Sequence, residues 1–220
     1  MKFPSFLLSV LIIVILITLF NIPAKSQGLS ENNNLDEKVK NFLDKHSWHD
    51  MNIPASDGKT LYNIIIKNNY KSALEIGTST GHSGIWIAWA LSKTGGKLIT
   101  VEIDESRHET ALKNFKEAGL IDLIDARLGN AHKIVPELKG PFDFVFSDAD
   151  KDWYKNYFIA VDPKLKVGGS FVSHNVYSRD RRGTGMAGSF VPYILSLPNY
   201  ETTFNESGNG LSISYKKSEK

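Results

Sequence analysis

The 220-residue chain contains no cysteine. That excludes a disulfide scaffold, thiolate metal sites and a cysteine nucleophile. A surplus of one charge sign is also missing. The formal net charge is +2, from 26 Lys+Arg against 24 Asp+Glu, and Lys2 and Lys25 precede every acid. From Gln27 onward the signs balance at 24 each, so no basic excess marks a nucleic-acid footprint. Hydrophobic residues make up 41% and charged residues 23%, which fits neither a disordered chain nor a multispan membrane protein.

Long hydrophobic runs are scarce, and the one present stands at the front. Residues 6–20 read FLLSVLIIVILITLF, thirteen apolar residues in fifteen, between Lys2 and a short polar stretch with Lys25. A positive start, an apolar run of about 7–15 residues and small residues at a cleavage site describe a secretory signal; Ala24 and Ser26 supply the small residues. The rival is an uncleaved anchor. Fifteen helical residues reach about 22 Å against a hydrocarbon core of about 30 Å, and extending the span to 3–22 takes in Pro4 and Asn21. The expectation is an export signal or N-terminal membrane anchor over 1–26, and membrane contact through that segment alone. A polar tether over 27–34 and one folded domain over 35–220 follow.

The domain alternates short apolar runs with helical stretches. Strands are expected at Ser72–Ile76, Lys97–Glu102, 123–128, Phe142–Ser147 and 170–174, and helices at 82–91, 106–118, 131–138 and 153–161. Ser106 and Glu109 form a capping-box pattern. Such alternation implies a parallel sheet covered on both faces. Tyr200–Asn205 and Leu211–Lys216 flank a Gly-containing turn, a hairpin signal. The expected fold is α/β: a Rossmann-like, doubly wound, mostly parallel seven-stranded sheet with an antiparallel C-terminal hairpin.

Ligands of open α/β sheets bind at the carboxyl ends of the strands. The first strand runs into Gly77-Thr-Ser-Thr-Gly81-His-Ser83. Its glycines are four apart, so this loop is not the dinucleotide G-x-G-x-x-G, and no G-K-[ST] follows. That argues against a nicotinamide oxidoreductase. Glu75 lies inside an apolar strand, where an unpaired carboxylate is costly. Glu102 ends the second strand, where an acid can accept both hydroxyls of a ribose.

Met51-Asn-Ile-Pro-Ala-Ser-Asp-Gly58, LEIGTSTGHS, TVEIDESR, LGNA and FSDADKDWY together resemble the class I S-adenosylmethionine-dependent O-methyltransferases, in the catechol and caffeoyl-CoA branch. The likeness runs from about Met51 to Lys216. It implies methyl transfer from S-adenosyl-L-methionine to a hydroxyl of a small, phenolic acceptor. It implies that Met51, Asn52 and Ile53 and the loop residues Gly77, Thr78, Ser79, Gly81 and Ser83 hold the methionine part of the cofactor. Glu102 would take the ribose, and Asn130, Ala131 and His132 would line the adenine. Glu75, Ile103 and Asp148 complete the implied cofactor-binding set. The family's Gly-Asp-Ala appears here as Gly129-Asn130-Ala131, and Asn still offers hydrogen bonds to an adenine edge.

The transfer is an in-line displacement at carbon, and the attacking oxygen must be at least partly deprotonated. A phenolic hydroxyl ionises near pH 10, so a metal chelating both catechol oxygens, or a nearby base, would help. The resemblance places Asp148 on a divalent metal and Lys151 beside the acceptor hydroxyl. It completes the metal site with an Asp-Asn pair, where this chain has His174-Asn175. Three roles stay open. Neutral His174 ligates a metal with Asp148 and Asn175, favouring Zn, Mn or Fe over Mg. Or His174 is the general base, catalytic together with Lys151, in a metal-free enzyme. Or the chemistry is lost and a cofactor-binding module remains. Arg179, Arg181 and Arg182 form a basic loop suited to an acidic acceptor, or else a solvated charge run. A homodimer is compatible with all of these.

Overall fold

The computed structural model describes residues 24–219, with side chains from Asn34 onward. The expected signal or anchor therefore lies outside the described residues, except for 24–26. Among the described residues no helix is long and apolar enough to cross a membrane. The expectation of an exported or membrane-anchored protein is corrected on that finding. The tether expected over 27–34 is also replaced: those residues lie within helix α1, Ala24–Lys45.

Five strands run parallel: β1 Ser72–Ile76, β2 Lys97–Glu102, β3 Ile124–Leu128, β4 Phe142–Ser147 and β5 Leu165–His174. A hairpin of β6 Tyr200–Asn205 and β7 Leu211–Lys216 adds antiparallel to β5. The seven-stranded order is β3-β2-β1-β4-β5-β7-β6. Central strands are buried on both faces, as a helix-covered parallel sheet requires; every residue of β4 is buried, whereas edge strand β3 has one buried residue of five.

The helices that cover the sheet are α2 Ala55–Asn68, α3 His82–Thr94, α4 Glu105–Ala118, α5 Ala131–Glu137, α6 Tyr154–Val161 and α7 Phe190–Ser196. Glycine ends α3 and α4: Gly95 (φ 75°) and Gly119 (φ 80°) both take the left-handed conformation that closes a helix without a Cβ clash. The start of α4 differs from the expected capping box. Asp104 is the N-cap and its side chain accepts from Arg107 N at 2.9 Å, so Ser106 already lies inside the helix.

Two elements hid behind glycine. Helix α2 contains Gly58, which reads as a breaker in an isolated helix. Here a Cβ at Gly58 would fall on the Trp86 indole of α3, so the glycine permits close packing of the two helices. Strand β5 begins five residues before the expected 170, running through Gly168 and Gly169 with a register irregularity against β4.

Candidate active site

Strand order reverses between β1 and β4: β2 continues the sheet on one side and β5 on the other. Such a switch point opens a crevice at the strands' carboxyl ends. A cavity of about 630 Å³ lies there. Gly77 turns the chain out of β1 at φ 97°, and a Cβ on it would sit 2.7 Å from the Asp148 carbonyl oxygen. Only glycine lets the loops after β1 and β4 meet this closely.

One end of the cavity is built from backbone and a single acid. Met51, Asn52, Ile53, Gly77, Ser79 and Ser83 line it, and so do Glu102, Ile103, Asn130, Ala131 and His132. Glu102 is fixed by three backbone N–H donors: Ser79 at 2.7 Å, and Ile103 and Asp104 at 3.0 Å each. Asn130 caps α5, its Oδ1 accepting from His132 N at 2.8 Å. That leaves the Asn130 amide nitrogen to donate to a ligand. The His132 ring stacks on Trp153, with centroids 3.7 Å apart.

Glu75, Thr78 and Gly81 do not line the cavity: Glu75 lies in β1 beneath the loop, and Thr78 and Gly81 are loop residues packed on its inner side. Glu75 Oε2 accepts from Thr100 Oγ1 at 2.6 Å, which leaves Thr78 to donate to Thr100 at 2.5 Å. Burial pushes the Glu75 carboxyl up to about 8, and its Oε1 has no hydrogen-bond partner among the described residues. A Cβ at Gly81 would meet the Phe115 ring at 2.7 Å. These contacts with Thr100 and Phe115 anchor the loop on the side away from the cavity, which the sequence pattern does not show.

His82 and Arg107 also matter. Burial pushes the His82 imidazole down to about 4. Neutral, it donates through Nδ1 to the Ile53 carbonyl at 2.8 Å and accepts the Trp86 indole N–H at Nε2, 3.2 Å away. It thereby pins the Met51–Ile53 segment. Arg107 lines the cavity and pairs with Asp50 at 2.6 Å.

The other end is built from charges. Lys151 Nζ donates to Asp148 Oδ1 at 2.8 Å and to the Tyr154 hydroxyl at 3.2 Å, and that hydroxyl donates to the His174 carbonyl at 3.1 Å. Tyr154 is thus a buried brace and not an acceptor-facing ring. His174 Nδ1 lies 3.0 Å from Asp148 Oδ2, and Nε2 lies 3.1 Å from Asp57 Oδ2. Burial by itself lowers the His174 pKa, but hydrogen bonds to Asp148 and Asp57 outweigh it and push the ring up to about 9. Each ring nitrogen faces a carboxylate oxygen, an arrangement that a doubly protonated imidazolium satisfies by donating through both.

Asp57 was missed by reading the sequence, although it lies within the quoted Met51–Gly58 segment. It is fully buried at the start of α2 and also accepts from Asn209 N, at 2.9 Å, in the β6–β7 turn. A Cβ at Gly208 would fall on its carboxylate, so the hairpin turn closes directly over it. Nothing in strand or helix periodicity links positions 57, 174 and 209.

Lys151, His174, Asn175 and Asp148 all line the cavity, yet the roles of metal ligand and general base do not fit His174. Both ring nitrogens are engaged as donors, and both Asp148 oxygens are taken, by Lys151 and His174. Asn175 donates to the Asn209 carbonyl at 3.4 Å. Among the described residues no group of three or more His, Asp or Glu is arranged to hold a metal. A divalent ion therefore does not fit the donor set as it stands. The basic loop is engaged with rings: the Arg179 guanidinium lies 4.1 Å from the Tyr177 ring centroid and that of Arg181 5.2 Å from Phe204. Residues 183–188 spell G-x-G-x-x-G, but they follow a 3-10 turn and not a strand, so they lack the context of a dinucleotide fingerprint.

The family model described as O-methyltransferase matches residues 25–180. The chain belongs to the O-methyltransferase family. Caffeoyl-CoA O-methyltransferase 1 of Eucalyptus globulus is 36% identical over 138 residues, 60% of this chain and 56% of that protein. Catechol O-methyltransferase of Niastella koreensis is 41% identical over 112 residues, 49% of this chain and 50% of that protein. This O-methyltransferase-family chain thus spans about half the length of the curated relatives it matches. Among solved structures, the O-methyltransferase TomG of Streptomyces achromogenes in complex with SAM superposes with a TM-score of 0.69 at 25% identity, covering 84% of this chain and 89% of that one. A Bacillus cereus O-methyltransferase in complex with SAH gives 0.68 at 26%, covering 91% and 95%. The Rossmann-like methyltransferase fold expected from the sequence is the one observed.

Proposed function

We propose that this chain moves a methyl group from S-adenosyl-L-methionine to a hydroxyl of a small phenolic acceptor. The observation that carries the reading is that an acid suited to a ribose, Glu102, and a pair of cations, Lys151 and His174, line one cavity. The family membership supports the reaction class, and relatives named for caffeoyl-CoA and catechol support the phenolic acceptor.

The residues at the first end fit the cofactor. Glu102 stands where two vicinal hydroxyls can be accepted, and the Asn130 amide is free to meet a purine edge. Met51, Asn52 and Ile53 close over the methionine part. When bound, the cofactor supplies a methyl carbon on a positively charged sulfur. Lys151 Nζ keeps one N–H beyond those given to Asp148 and Tyr154. That proton, together with the His174 charge behind it, favours ionisation of a phenol whose unperturbed pKa is about 10. The acceptor's proton passes to solvent, and the phenolate is held beside the two cations. Lys151 thus acts here by electrostatic stabilisation.

Isothermal titration with S-adenosylhomocysteine, followed by a methyl-transfer assay against a panel of catechols and other phenols, tests this. Binding with transfer is expected. Binding without transfer to any phenol reduces the protein to a cofactor-binding module, and failure to bind S-adenosylhomocysteine overturns the reading.

A further inference from the structure

The acceptor end holds four charged side chains within hydrogen-bond reach of one another: Asp57, Asp148, Lys151 and His174. Two are carboxylates and two are cations, so their formal charges cancel. Each contact is specific. Asp148 gives one oxygen to each cation, and His174 gives one nitrogen to each acid. His174 is 4% exposed and Asp57 fully buried. Adding two positive charges to a neutral cluster whose Asp57 and His174 are buried and whose Asp148 and Lys151 are half-buried leaves them uncompensated.

A carboxylate at position 174 would change the sum by two, because an imidazolium would give way to an anion. Asp57, Asp148 and the new acid would then face Lys151 with a net charge of −2, which a divalent cation neutralises. The imidazolium therefore does at this position what a metal would do in such a cluster. It places fixed positive charge between two carboxylates, beside the space where an acceptor oxygen must ionise. Asp57 is what makes this arrangement complete, since it occupies the nitrogen that Asp148 does not reach. Its other oxygen, Oδ1, has no hydrogen-bond partner among the described residues, so His174 is the cation that answers its charge.

We propose that His174, clamped between Asp57 and Asp148, is a built-in cation that takes the place of a divalent metal at the acceptor end of the cavity. The site is then closed to metal, and methyl transfer runs without one. The inference rests on the methyltransferase reading for its role in transfer, but its central claim concerns metal binding and is measured separately.

The experiment is a titration of the full chain with Mn²⁺, followed by electron paramagnetic resonance, on wild type, His174→Asp and the double variant His174→Asp/Asp148→Asn. Circular dichroism and a cooperative urea transition report whether each variant keeps its fold. Wild type is expected to leave the free Mn²⁺ signal undiminished. His174→Asp is expected to bind one ion per chain, with affinity raised roughly tenfold or more, and the double variant to lose that ion. Wild-type protein that binds one Mn²⁺ per chain overturns the proposal. So does a folded His174→Asp that takes up none, because His174 would then not be what excludes the metal. If His174→Asp loses its fold, wild type decides alone: bound Mn²⁺ overturns the inference and its absence upholds it. Where wild type transfers methyl groups, dialysis against EDTA should leave the rate unchanged, and a tenfold loss restored by Mn²⁺ overturns the inference. If no transfer is found, the methyltransferase reading fails while the Mn²⁺ arms stand.

Discussion

The two ends of the cavity are made in different ways. The cofactor end uses short contiguous segments: Gly77–Ser83 after β1, Glu102 at the end of β2 and Asn130–His132 after β3, closed by Met51–Ile53 just before α2. Its main polar contacts are backbone donors converging on Glu102 and one helix cap. The acceptor end joins four side chains from three separate stretches, the start of α2, the end of β4 and the end of β5, and closes them with the hairpin turn. One end stands on local geometry, the other on compensation of buried charge. The second should therefore be the more fragile to a single substitution.

The sharpest way to break that contrast is Asp57→Ala. Removing one partner of a buried ion pair leaves an uncompensated charge and costs about 3–5 kcal/mol. Urea unfolding should show a loss of that order, with an unchanged slope. Glu102→Ala, at the other end, should cost less than half as much stability. If Asp57→Ala costs under about 1 kcal/mol, as for an exposed pair, the clamp on His174 contributes little.

A pH series separates the ends next. Glu75, under the cofactor loop, is raised from 4.5 to about 8 by burial. In the folded state it keeps a proton that the unfolded chain releases over that window. Stability therefore falls as pH rises from 4.5 to 8, by up to about 1.4 kcal/mol per unit. His174 works in the same direction over a later window: raised from 6.5 to about 9, it stabilises fully below 6.5 and loses this as pH rises through 9. Glu75→Gln removes only the first contribution. The stability of Glu75→Gln relative to wild type should climb between pH 4.5 and 8 and then level off. A flat difference would mean that Glu75 ionises in place.

How much of this was visible beforehand follows from the same contrast. The hairpin and the buried strands β1, β2 and β4 appear where apolar runs and turn residues put them, because burial writes itself into neighbouring residues, whereas β5 begins five residues earlier than its apolar run, through Gly168 and Gly169. The loop, Glu102 and Asn130 were legible for the same reason: a motif a few residues long carries the geometry. Asp57 was not. Its partners stand 117 and 152 positions away, and the local pattern of α2 was masked by Gly58, whose purpose is to admit the Trp86 ring. His174 stands out in the sequence as a departure from the Asp-Asn pair that the resemblance implies, but its partners are set by the unseen Asp57. One carboxylate beside it allows a ligand or a base, whereas the second, Asp57, faces the other ring nitrogen and favours the doubly protonated ring. Glu75 failed in the opposite way. A carboxyl in an apolar strand marked an important place, yet only the fold shows it facing the underside of the loop.

The third test acts on function at the cofactor end alone. Glu102→Ala removes the acceptor for the ribose hydroxyls, and hydrogen bonds to a charged group contribute about 1.5–3 kcal/mol. S-adenosylhomocysteine affinity should fall about tenfold or more, while any Mn²⁺ behaviour of the acceptor end stays as in wild type. A loss of affinity below threefold would move the ribose elsewhere in the cavity.

The smallest effect asks whether the cofactor end is as local as it looks. Asp104 caps α4 through Arg107 N, and its own backbone N–H donates to Glu102 Oε1. Asp104→Ala removes the cap, at about 1 kcal/mol, but leaves that backbone donor chemically intact. If the first turn of α4 holds Glu102 in place, S-adenosylhomocysteine affinity drops by a fewfold along with stability. If the neighbouring donors from Ser79 and Ile103 suffice, stability falls and affinity does not. Calorimetry and thermal unfolding on the same sample distinguish the two. The second outcome is expected, because two of the three donors to Glu102 come from residues outside α4 and outside its cap.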